Sequence, residues 1–361
     1  MTGPRSALAI TVLAVAAWAW LLADGPQAQV AEATGPLLPG LADDVAEVAA
    51  VQVTRGDTAW TARRDGAEDG EGGWQLAEFG DHPATGSAVD RLLAELAALT
   101  RLGPRTALPQ RYALLGLDDP GPDSDAVGVR LLDDAGEPLA DLVLGDRQRT
   151  GTWLGTPGRY IRTGDGRTWL TEGSVTLPDS PVDWLVQPLA TVAPARISRL
   201  ELTEAGEPPL IWRRPRLGVG FALVTDAPAD RLVAAGIDTD RLAGLLADFR
   251  ITAARPAADL VEAEPLGTLA LETFDGLRIT VTAYGPARRP WLTLALTFAP
   301  LPLPTTPAGE ALGLQTPDIT GQEALRLRAV TAGFALAPAP GTPGLPRDWP
   351  TPVPPPADPW R

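Results

Sequence analysis

Residues 127–147 read VGVRLLDDAGEPLADLVLGDR, and this stretch decides the fold class. Val129 and Leu131 alternate with Gly128 and Arg130, which is the period-two pattern of a strand with one buried face. A turn sequence follows at residues 134–136, and a second apolar run comes after it. Two apolar runs that are separated by a Gly-containing turn predict an antiparallel β-hairpin.

The same features recur 140 residues later, where Leu269 and Leu271 precede a turn at residues 275–276. Earlier strand signals recur in the same order: Val51 and Val53 with Leu200 and Leu202, Trp60 with Trp212, and residues 74–76 with residues 221–223. We therefore predict an α+β fold of two tandem strand–strand–helix–hairpin repeats with mainly antiparallel sheets. The first repeat is predicted over residues 47–187 and the second over residues 196–337.

One helix is predicted in each repeat, because apolar residues recur at helical spacing along one face. Ser87 is placed to cap the first of these helices and Asp238 to cap the second. The predicted apolar faces are Val89, Leu92, Leu93, Leu96 and Leu99 in the first helix, and Leu242, Leu245, Leu246 and Phe249 in the second.

A further helix is predicted over residues 321–332, where it interrupts the second repeat. Thr320 and Glu323 have the spacing of a capping box, and Gly333 is the expected stop at the other end. Residues 334–336 are then predicted to return as the last strand of the repeat.

The N-terminal segment predicts a membrane anchor. Residues 6–23 carry no charge, and a helix of that length spans about 27 Å, enough to cross a bilayer. Arg5 precedes the segment and Asp24 follows it, so the N-terminus is predicted inside and the body in the periplasm or extracytoplasmic space. A signal peptide cleaved near residues 31–33 is the alternative. Two stretches lack a sustained periodic pattern of apolar residues: residues 24–46, which are predicted to be a linker, and residues 338–361, which are predicted to be a Pro-rich tail.

Composition excludes several classes of chemistry. The chain has no Cys, Lys or Asn and a single His, and its 45 acidic residues against 30 Arg give a net charge of −15. Disulfides, thiolate catalysis, Schiff-base lysines and Cys/His zinc sites are therefore excluded. A strongly acidic chain also repels the phosphate backbone, so we do not expect nucleic acid as a partner.

His82 is the only side chain with an unperturbed pKa near neutrality. It lies in a turn-like sequence at residues 80–83, and none of the six Ser residues lies in a Gly-x-Ser-x-Gly context. We therefore predict a solvated loop histidine rather than the base of a catalytic triad. No catalytic residue is assigned.

Two loops have features of ion-binding sites. Four carboxylates crowd one loop and offer oxygen ligands to calcium: Asp118, Asp119, Asp123 and Asp125. The order of an EF-hand loop is missing, and Pro120 and Pro122 favour a rigid acidic turn. Residues 151–166 contain five Gly without a Gly-Lys-Ser/Thr sequence, which favours turns over a phosphate cradle. We assign no metal or cofactor residue.

Carboxylates and Trp are abundant enough to keep a glycosidase-like hydrolase open. However, the acids fall in turns or beside Arg, as at Asp90 and Asp240, and Trp60 and Trp212 are predicted to be core residues. Three Arg pairs could bind anionic envelope polymers or lipid headgroups: residues 63–64, 213–214 and 288–289. The favoured interpretation is exposed ion pairs worth about 0.2–1 kcal/mol each.

Several motifs resemble those of the bacterial domain-of-unknown-function 4340 family. They are LPGL at 38–41, RYALLGL at 111–117, LADLVLG at 139–145, YIR at 160–162 and GFALAP at 333–338. The resemblance covers nearly everything after residue 23. It implies a protein that is anchored in the membrane, with its body outside the cytoplasmic membrane. It also implies that the protein is encoded beside gliding-motility-type ABC transporter components. It assigns no catalytic residue.

The expected function is that of a non-catalytic, membrane-anchored extracytoplasmic accessory or scaffold protein of an ABC-transporter-type envelope system. Its expected partners are membrane proteins such as transporter subunits, and the lipid bilayer through residues 6–23. Two alternatives stay open: a polysaccharide or small-ligand binding module of the envelope, and an acid-dependent envelope hydrolase. An exposed apolar patch favours docking, a deep Trp-lined pocket favours ligand binding, and converging acids favour hydrolysis.

Overall fold

A computed structural model describes residues 34–66, 73–148, 158–204, 206–225, 238–286, 288–301, 313–343 and 345. These residues form two compact units. The first unit comprises the described residues up to Trp74 together with Gly86–Pro181. The second comprises Gln75–Thr85 and the described residues from Val182 onward. Residues 75–85, which lie within the range of the first predicted repeat, thus belong to the second compact unit.

The elements up to Glu172 are mostly strands. The strands are β1 (Gly35–Pro36), β2 (Ala50–Arg55), β3 (Thr58–Arg64), β4 (Trp74–Leu76), β5 (His82–Pro83), β6 (Thr100–Pro104), β7 (Val127–Leu132), β8 (Pro138–Arg147), β9 (Gly158–Thr163) and β10 (Thr168–Glu172). The helices are α1 (Leu41–Asp44) and α2 (Gly86–Ala97), and 3-10 turns lie at Val45–Glu47, Ala77–Phe79 and Pro109–Leu115.

The sheet of the first unit has the strand order β1-β6-β10-β9-β8-β7-β2-β3, with antiparallel neighbours throughout. The β7–β8 hairpin pairs Val129 with Leu142 and Leu131 with Ala140, so the hairpin predicted from residues 127–147 is confirmed. The predicted β9–β10 hairpin is confirmed as well, with Ile161 opposite Trp169.

The core of the first unit follows the sequence alternation. Val51, Val53, Val129 and Leu131 are fully buried on one face of the sheet. The predicted apolar face of α2 is buried too: Val89, Leu92, Leu93 and Leu96, with Leu99 just beyond the helix end. The predicted cap is wrong, because α2 begins at Gly86 and Ser87 therefore lies inside its first turn.

The second unit is another antiparallel sheet with helices. Its strands from residue 197 onward are β11 (Ile197–Glu204), β12 (Leu210–Arg213), β13 (Ala222–Leu223), β14 (Ile251–Pro256), β15 (Pro265–Thr273), β16 (Leu277–Tyr284), β17 (Trp291–Phe298) and β18 (Phe334–Pro338). Its helices are α3 (Thr239–Ala243) and α4 (Pro317–Thr331), and 3-10 turns lie at Pro181–Trp184, Pro194–Arg196 and Ala257–Leu260.

The strand order of this sheet is β13-β12-β11-β15-β16-β17-β18-β14. Seven strands of the first sheet, in the spatial order β3-β2-β7-β8-β9-β10-β6, correspond to seven of the second, in the order β12-β11-β15-β16-β17-β18-β14. Corresponding strands also come in the same order along the chain, so the two sheets share one topology over these strands. The structure thus has an α+β architecture with two antiparallel sheets, as the sequence predicts.

Helix α3 begins as predicted, because Asp238 accepts hydrogen bonds from the backbone N–H groups of Asp240 and Arg241 at 3.0 and 3.2 Å. Its predicted length is wrong: the helix ends at Ala243, so Leu245, Leu246 and Phe249 of the predicted face are buried beyond it. The capping box predicted for α4 is wrong. Helix α4 begins four residues earlier, at Pro317, so Thr320 lies inside it and is fully buried. Gly333 has a φ of 82° just after the helix and acts as the predicted stop.

The predicted anchor, residues 6–23, lies outside the residues that the structure describes, as does most of the predicted tail. Within the described ranges, none of the helices has the length and apolar character that crossing a bilayer requires.

Candidate functional site

His82 is buried in the second unit, which corrects the prediction of a solvated loop histidine. Its side chain is fully inaccessible, and its ring meets the Phe334 ring edge-on at 4.8 Å between centroids. Nε2 lies 2.9 Å from the carbonyl oxygen of Val330, and Nδ1 lies 3.0 Å from that of Pro83. Val330 is next to the end of α4, so His82 satisfies a carbonyl that the helix leaves without an internal partner.

Burial lowers the pKa of His82 from its usual value, against the opposing effect of the two carbonyl oxygens at Pro83 and Val330. A neutral imidazole has one N–H group and can donate to only one of these carbonyls. The ring is thus a structural group held neutral by its surroundings, with a carbonyl oxygen close to each nitrogen.

Exchange of His82 for Gln is expected to change how stability depends on pH. Above about pH 6.5 the histidine is neutral in both the folded and the unfolded chain, so it adds no pH dependence. Below that pH the unfolded chain binds the proton more readily, because burial lowers the folded-state pKa. The free energy of unfolding of the native chain should therefore fall further on acidification than that of His82→Gln. Hydrogen exchange of peptides from β18 between pH 5 and 8 measures this free energy of unfolding in both chains. If acidification made the native chain more stable relative to His82→Gln, the lowered folded-state pKa of His82 would be contradicted.

A second buried group of charges lies around Arg196 in the same unit. Its Nε donates to Asp275 Oδ2 at 2.8 Å, and Nη1 and Nη2 donate to the two carboxylate oxygens of Glu323 at 3.1 and 2.8 Å. Arg196 and Asp275 are each about 1% exposed. Burial alone would lower the pKa of Arg196, but its hydrogen bonds to Glu323 and Asp275 and the charges of these carboxylates outweigh burial and raise that pKa. This triad joins the turn before β11, the β15–β16 turn and α4.

The Arg pairs 63–64 and 213–214 are not simply exposed ion pairs, because the second Arg of each bonds to its own fold. Arg64 Nε donates to the carbonyl of Val48 at 3.1 Å, and its guanidinium lies 4.7 Å from the Trp74 ring centroid. Arg214 Nη1 donates to the carbonyl of Pro194 at 3.0 Å, and its guanidinium lies 4.1 Å from the Phe221 ring centroid. Arg288 and Arg289 are exposed.

The RYALLGL motif at residues 111–117 forms a turn fixed to the sheet of the first unit. Tyr112 and Leu117 are buried with Ala126 and Val143, and the Tyr112 hydroxyl donates to the carbonyl of Gly166 at 2.6 Å. A Cβ added at Gly145 would lie 2.4 Å from the Leu115 carbonyl oxygen. Two motifs therefore meet here, and only Gly permits the approach.

An open polar groove of about 310 Å³ lies beside this turn, within the first unit. Its floor is the sheet face opposite the buried one, with Gln52 and Thr54 from β2, Arg130 from β7 and Asp141 from β8. Asp119 and Pro120 from the acidic loop line it as well, as do Arg162 from β9 and the Thr163–Gly164 turn. Alternation along the strands explains the arrangement, because neighbours of the buried residues face the other way.

Two ion pairs set the electrostatics of the groove. Arg130 Nη2 and Nε donate to Asp141 Oδ2 at 2.8 and 3.2 Å across the β7–β8 hairpin. Arg162 Nη2 donates to Asp119 Oδ1, and its guanidinium lies 4.8 Å from the Tyr112 ring centroid. The charges of the lining side chains therefore cancel.

The other predicted candidates take structural positions or lie elsewhere. Asp119 of the predicted acidic turn bonds to Arg162, and Asp90 accepts a hydrogen bond from Trp74 Nε1 at 2.8 Å. Among the residues placed by the structure, no three His, Asp or Glu side chains come together as a metal site. The Gly-rich stretch falls partly outside the described residues, which leave out 149–157. Trp60 and Trp212 are core residues, as predicted.

Sequence reasoning missed both the Arg196 triad and the groove. The cross-strand pair Arg130–Asp141 had a sequence signal, because the predicted hairpin places these residues opposite each other. The contacts of Arg196 with Glu323 and of Arg162 with Asp119 join residues 127 and 43 positions apart and carry no local signal.

Comparison with known proteins gives a family match over part of the chain. Residues 74–217 match the family model described as "Domain of unknown function (DUF4340)", which supports the family resemblance and includes the motifs at 111–117, 139–145 and 160–162. The motifs at 38–41 and 333–338 lie outside the matched range. The matched range includes α2, the RYALLGL turn and strands β6 to β10. Searches of the curated proteins and of the solved structures return no match to this chain.

Proposed function

We propose that this chain, a member of the DUF4340 family, is a non-catalytic accessory or scaffold protein that is anchored in the cytoplasmic membrane and acts outside it. Its partners are integral-membrane subunits of an ABC-transporter-type envelope system. The family resemblance supports this role, because family members are typically anchored proteins encoded beside such transporters. Residues 6–23 supply the single span, with the N-terminus inside and the two units outside.

One observation supports the non-catalytic part of the proposal: the histidine and several arginines make structural contacts within their own unit. The only histidine is buried with a main-chain carbonyl oxygen within 3.0 Å of each ring nitrogen, and its one N–H group can donate to one of them. Arg196 is bonded to Asp275 and Glu323, and Arg64 and Arg214 bond to backbone carbonyls. These four side chains, which could otherwise move protons or stabilise charge in a reaction, are thereby bonded into the folds.

We also infer that the two units are copies of one ancestral unit. Their sheets share one strand order, and the helix α4 is inserted between the last two corresponding strands of the second unit. Arg64 and Arg214 support the inference, because each lies at or just after the end of a Trp-containing strand. Each also bonds to a carbonyl just before the neighbouring strand of its sheet, β2 for Arg64 and β11 for Arg214, and covers an aromatic ring. A duplicated body offers two similar surfaces for assembling partners.

Purification from the native membrane tests the proposed role. The full chain with a C-terminal tag is extracted in detergent, and bound proteins are identified by mass spectrometry. We expect an integral-membrane subunit of an ABC transporter in a constant ratio to the tagged chain. The control carries a cleavable export signal in place of residues 1–23, and it should recover much less of that subunit.

Two results would contradict the proposal. One is a soluble exported species that begins near Thr34, since this would show that the N-terminal segment is removed. The other is turnover of an envelope substrate by the purified chain that is lost on changing a single carboxylate without loss of folding. The second result would favour the envelope hydrolase.

A further inference from the structure

We propose that the groove on the first unit is a binding site for an uncharged carbohydrate. The site is formed by β2, β7, β8, β9 and the loop that contains Asp119 and Pro120. This inference goes beyond the accessory role and does not depend on it, since a carbohydrate can bind whether or not the chain docks on a transporter.

The charge balance of the groove favours a neutral ligand over an ion. Arg130 is bonded to Asp141 and Arg162 to Asp119, so each charge in the lining already has a partner of opposite sign. An anion would have to compete with a carboxylate for its guanidinium, and a cation with a guanidinium for its carboxylate. A sugar hydroxyl both donates and accepts, and it can bond to the outer atoms of such a pair without breaking it.

The groove also holds polar atoms that the fold leaves free. In the described part of the chain, the side chains of Gln52 and Thr54 make no hydrogen bond, although they stand side by side with the paired charges. Asp119 and Asp141 each use one carboxylate oxygen for the ion pair. An amide, a hydroxyl and two carboxylate oxygens on one surface form a mixed set of donors and acceptors, which suits a polyhydroxylated ring.

The lining is held in place before any ligand arrives. The loop that contains Asp119 continues from the RYALLGL turn, whose Tyr112 and Leu117 are buried against Val143. A Cβ added at Gly128 would lie 3.1 Å from Pro120 Cγ, so the loop approaches β7 closely where Gly stands. Because the backbone of the loop and strands is already fixed, little of it has to be ordered on binding, and a small groove can still hold a ligand.

A peptide strand is a weaker fit for the same surface. Strands β2, β7, β8 and β9 each have paired neighbours on both sides, so their main-chain groups are occupied in the sheet. Addition of a peptide strand needs an open edge, whereas this groove lies on a face. Its volume is at the lower end of the range for small-molecule sites, which favours a short saccharide.

Ligand-observed NMR and titration calorimetry on the full chain test the proposal, in a zwitterionic detergent that contains no sugar. The uncharged probes are maltotriose, cellotriose and triacetylchitotriose, and the anionic probes are trigalacturonate and inorganic phosphate. We expect at least one uncharged trisaccharide to bind more tightly than either anion. Gln52→Ala and Thr54→Val should each weaken that binding by about three- to tenfold, the usual effect of one lost hydrogen bond.

Two further variants sharpen the test. Thr100→Val is the matched control, because Thr100 is exposed on β6 of the same sheet and outside the groove, and it should bind as the native chain does. Asp141→Asn leaves Arg130 without its carboxylate, so it should weaken saccharide binding and increase phosphate binding. Equal thermal midpoints for all variants confirm that folding is unchanged.

The proposal is overturned if none of the three saccharides binds. It is also overturned if a saccharide binds with the same affinity to the native chain and to the Gln52→Ala/Thr54→Val double variant, or if the native chain prefers the anions. None of these results bears on transporter docking, so the two proposals fail separately.

Discussion

Leu96→Asp is expected to unfold the first unit and Leu246→Asp the second. Both leucines are almost completely inaccessible, Leu96 on the buried face of α2 and Leu246 beyond α3. An aspartate at either position would place a carboxylate where neither water nor a cation can reach it. We expect a loss of about 4 kcal/mol or more in the free energy of unfolding of the affected unit.

Hydrogen exchange followed by mass spectrometry checks this prediction, since it assigns lost protection to peptides of one unit. The matched control is Leu114→Asp, because Leu114 is 78% exposed and the same substitution there should change stability by no more than about 0.5 kcal/mol. Native protection of β7 and β8 in Leu96→Asp would show that this core is wrongly described.

Arg196→Met is expected to destabilise the second unit by about 3–5 kcal/mol. The substitution keeps most of the side-chain volume but leaves Asp275 and Glu323 buried without their shared cation. Loss of one partner from a buried ion pair is costly, because the remaining charge has neither water nor a counterion.

A double-mutant cycle measures the Arg196 pair directly. The double variant Arg196→Met/Glu323→Gln should lose less stability than the sum of the two single variants, since the amide removes one of the stranded charges. Arg199→Met is the matched control, because Arg199 also bonds to two carboxylates, Glu201 and Glu272, but its side chain is 21% exposed and those of its partners 26% and 30%. Pairs that water can reach are worth about 1 kcal/mol at most. Equal losses for Arg196→Met and Arg199→Met would contradict the role of the triad.

The hairpins could be predicted from sequence because their determinants are local. Val129 and Leu131 alternate with polar or small residues, a turn follows, and the pairing partners lie within about a dozen positions. The same local information places Arg130 opposite Asp141 and thus gives part of the groove.

The burial of His82 could not be predicted, because it depends on Val330, which is 248 positions away in the sequence. The turn-like sequence around it is real, since Gly80 has a φ of 67° and Asp81 one of 60°. What local sequence does not report is that a Cβ on Gly80 would lie 2.4 Å from the Pro256 ring, so this turn packs against β14.

The capping box predicted at Thr320 and Glu323 failed for a different reason. The two residues have the spacing of a capping box, but the structure uses them for other contacts. Glu323 is needed by Arg196, and Thr320 faces the core with Ala324 and Leu327. The helix begins earlier because Pro317 is well suited to a first helical turn, where no N–H group is required. Spacing alone cannot separate a cap from a buried face.

The family motifs acquire a physical meaning from the first unit. Tyr112 and Leu117 hold the RYALLGL turn on the sheet, and Gly145 leaves room for it. Leu114, in the middle of that motif, does not pack in the buried cluster with Tyr112 and Leu117 and is exposed. Because Leu114 is exposed and lies within a family motif, a probe at this position can report on a nearby partner without disturbing the core.

Photocrosslinking in living cells tests the proposed association most directly. A photoreactive amino acid replaces Leu114 in the full chain, and Val261, which is 82% exposed in the second unit, serves as the control position. We expect position 114 to crosslink to an integral-membrane subunit of an ABC transporter in much higher yield than position 261. Absence of that crosslink at position 114, or equal yields at the two positions, would contradict docking through this turn.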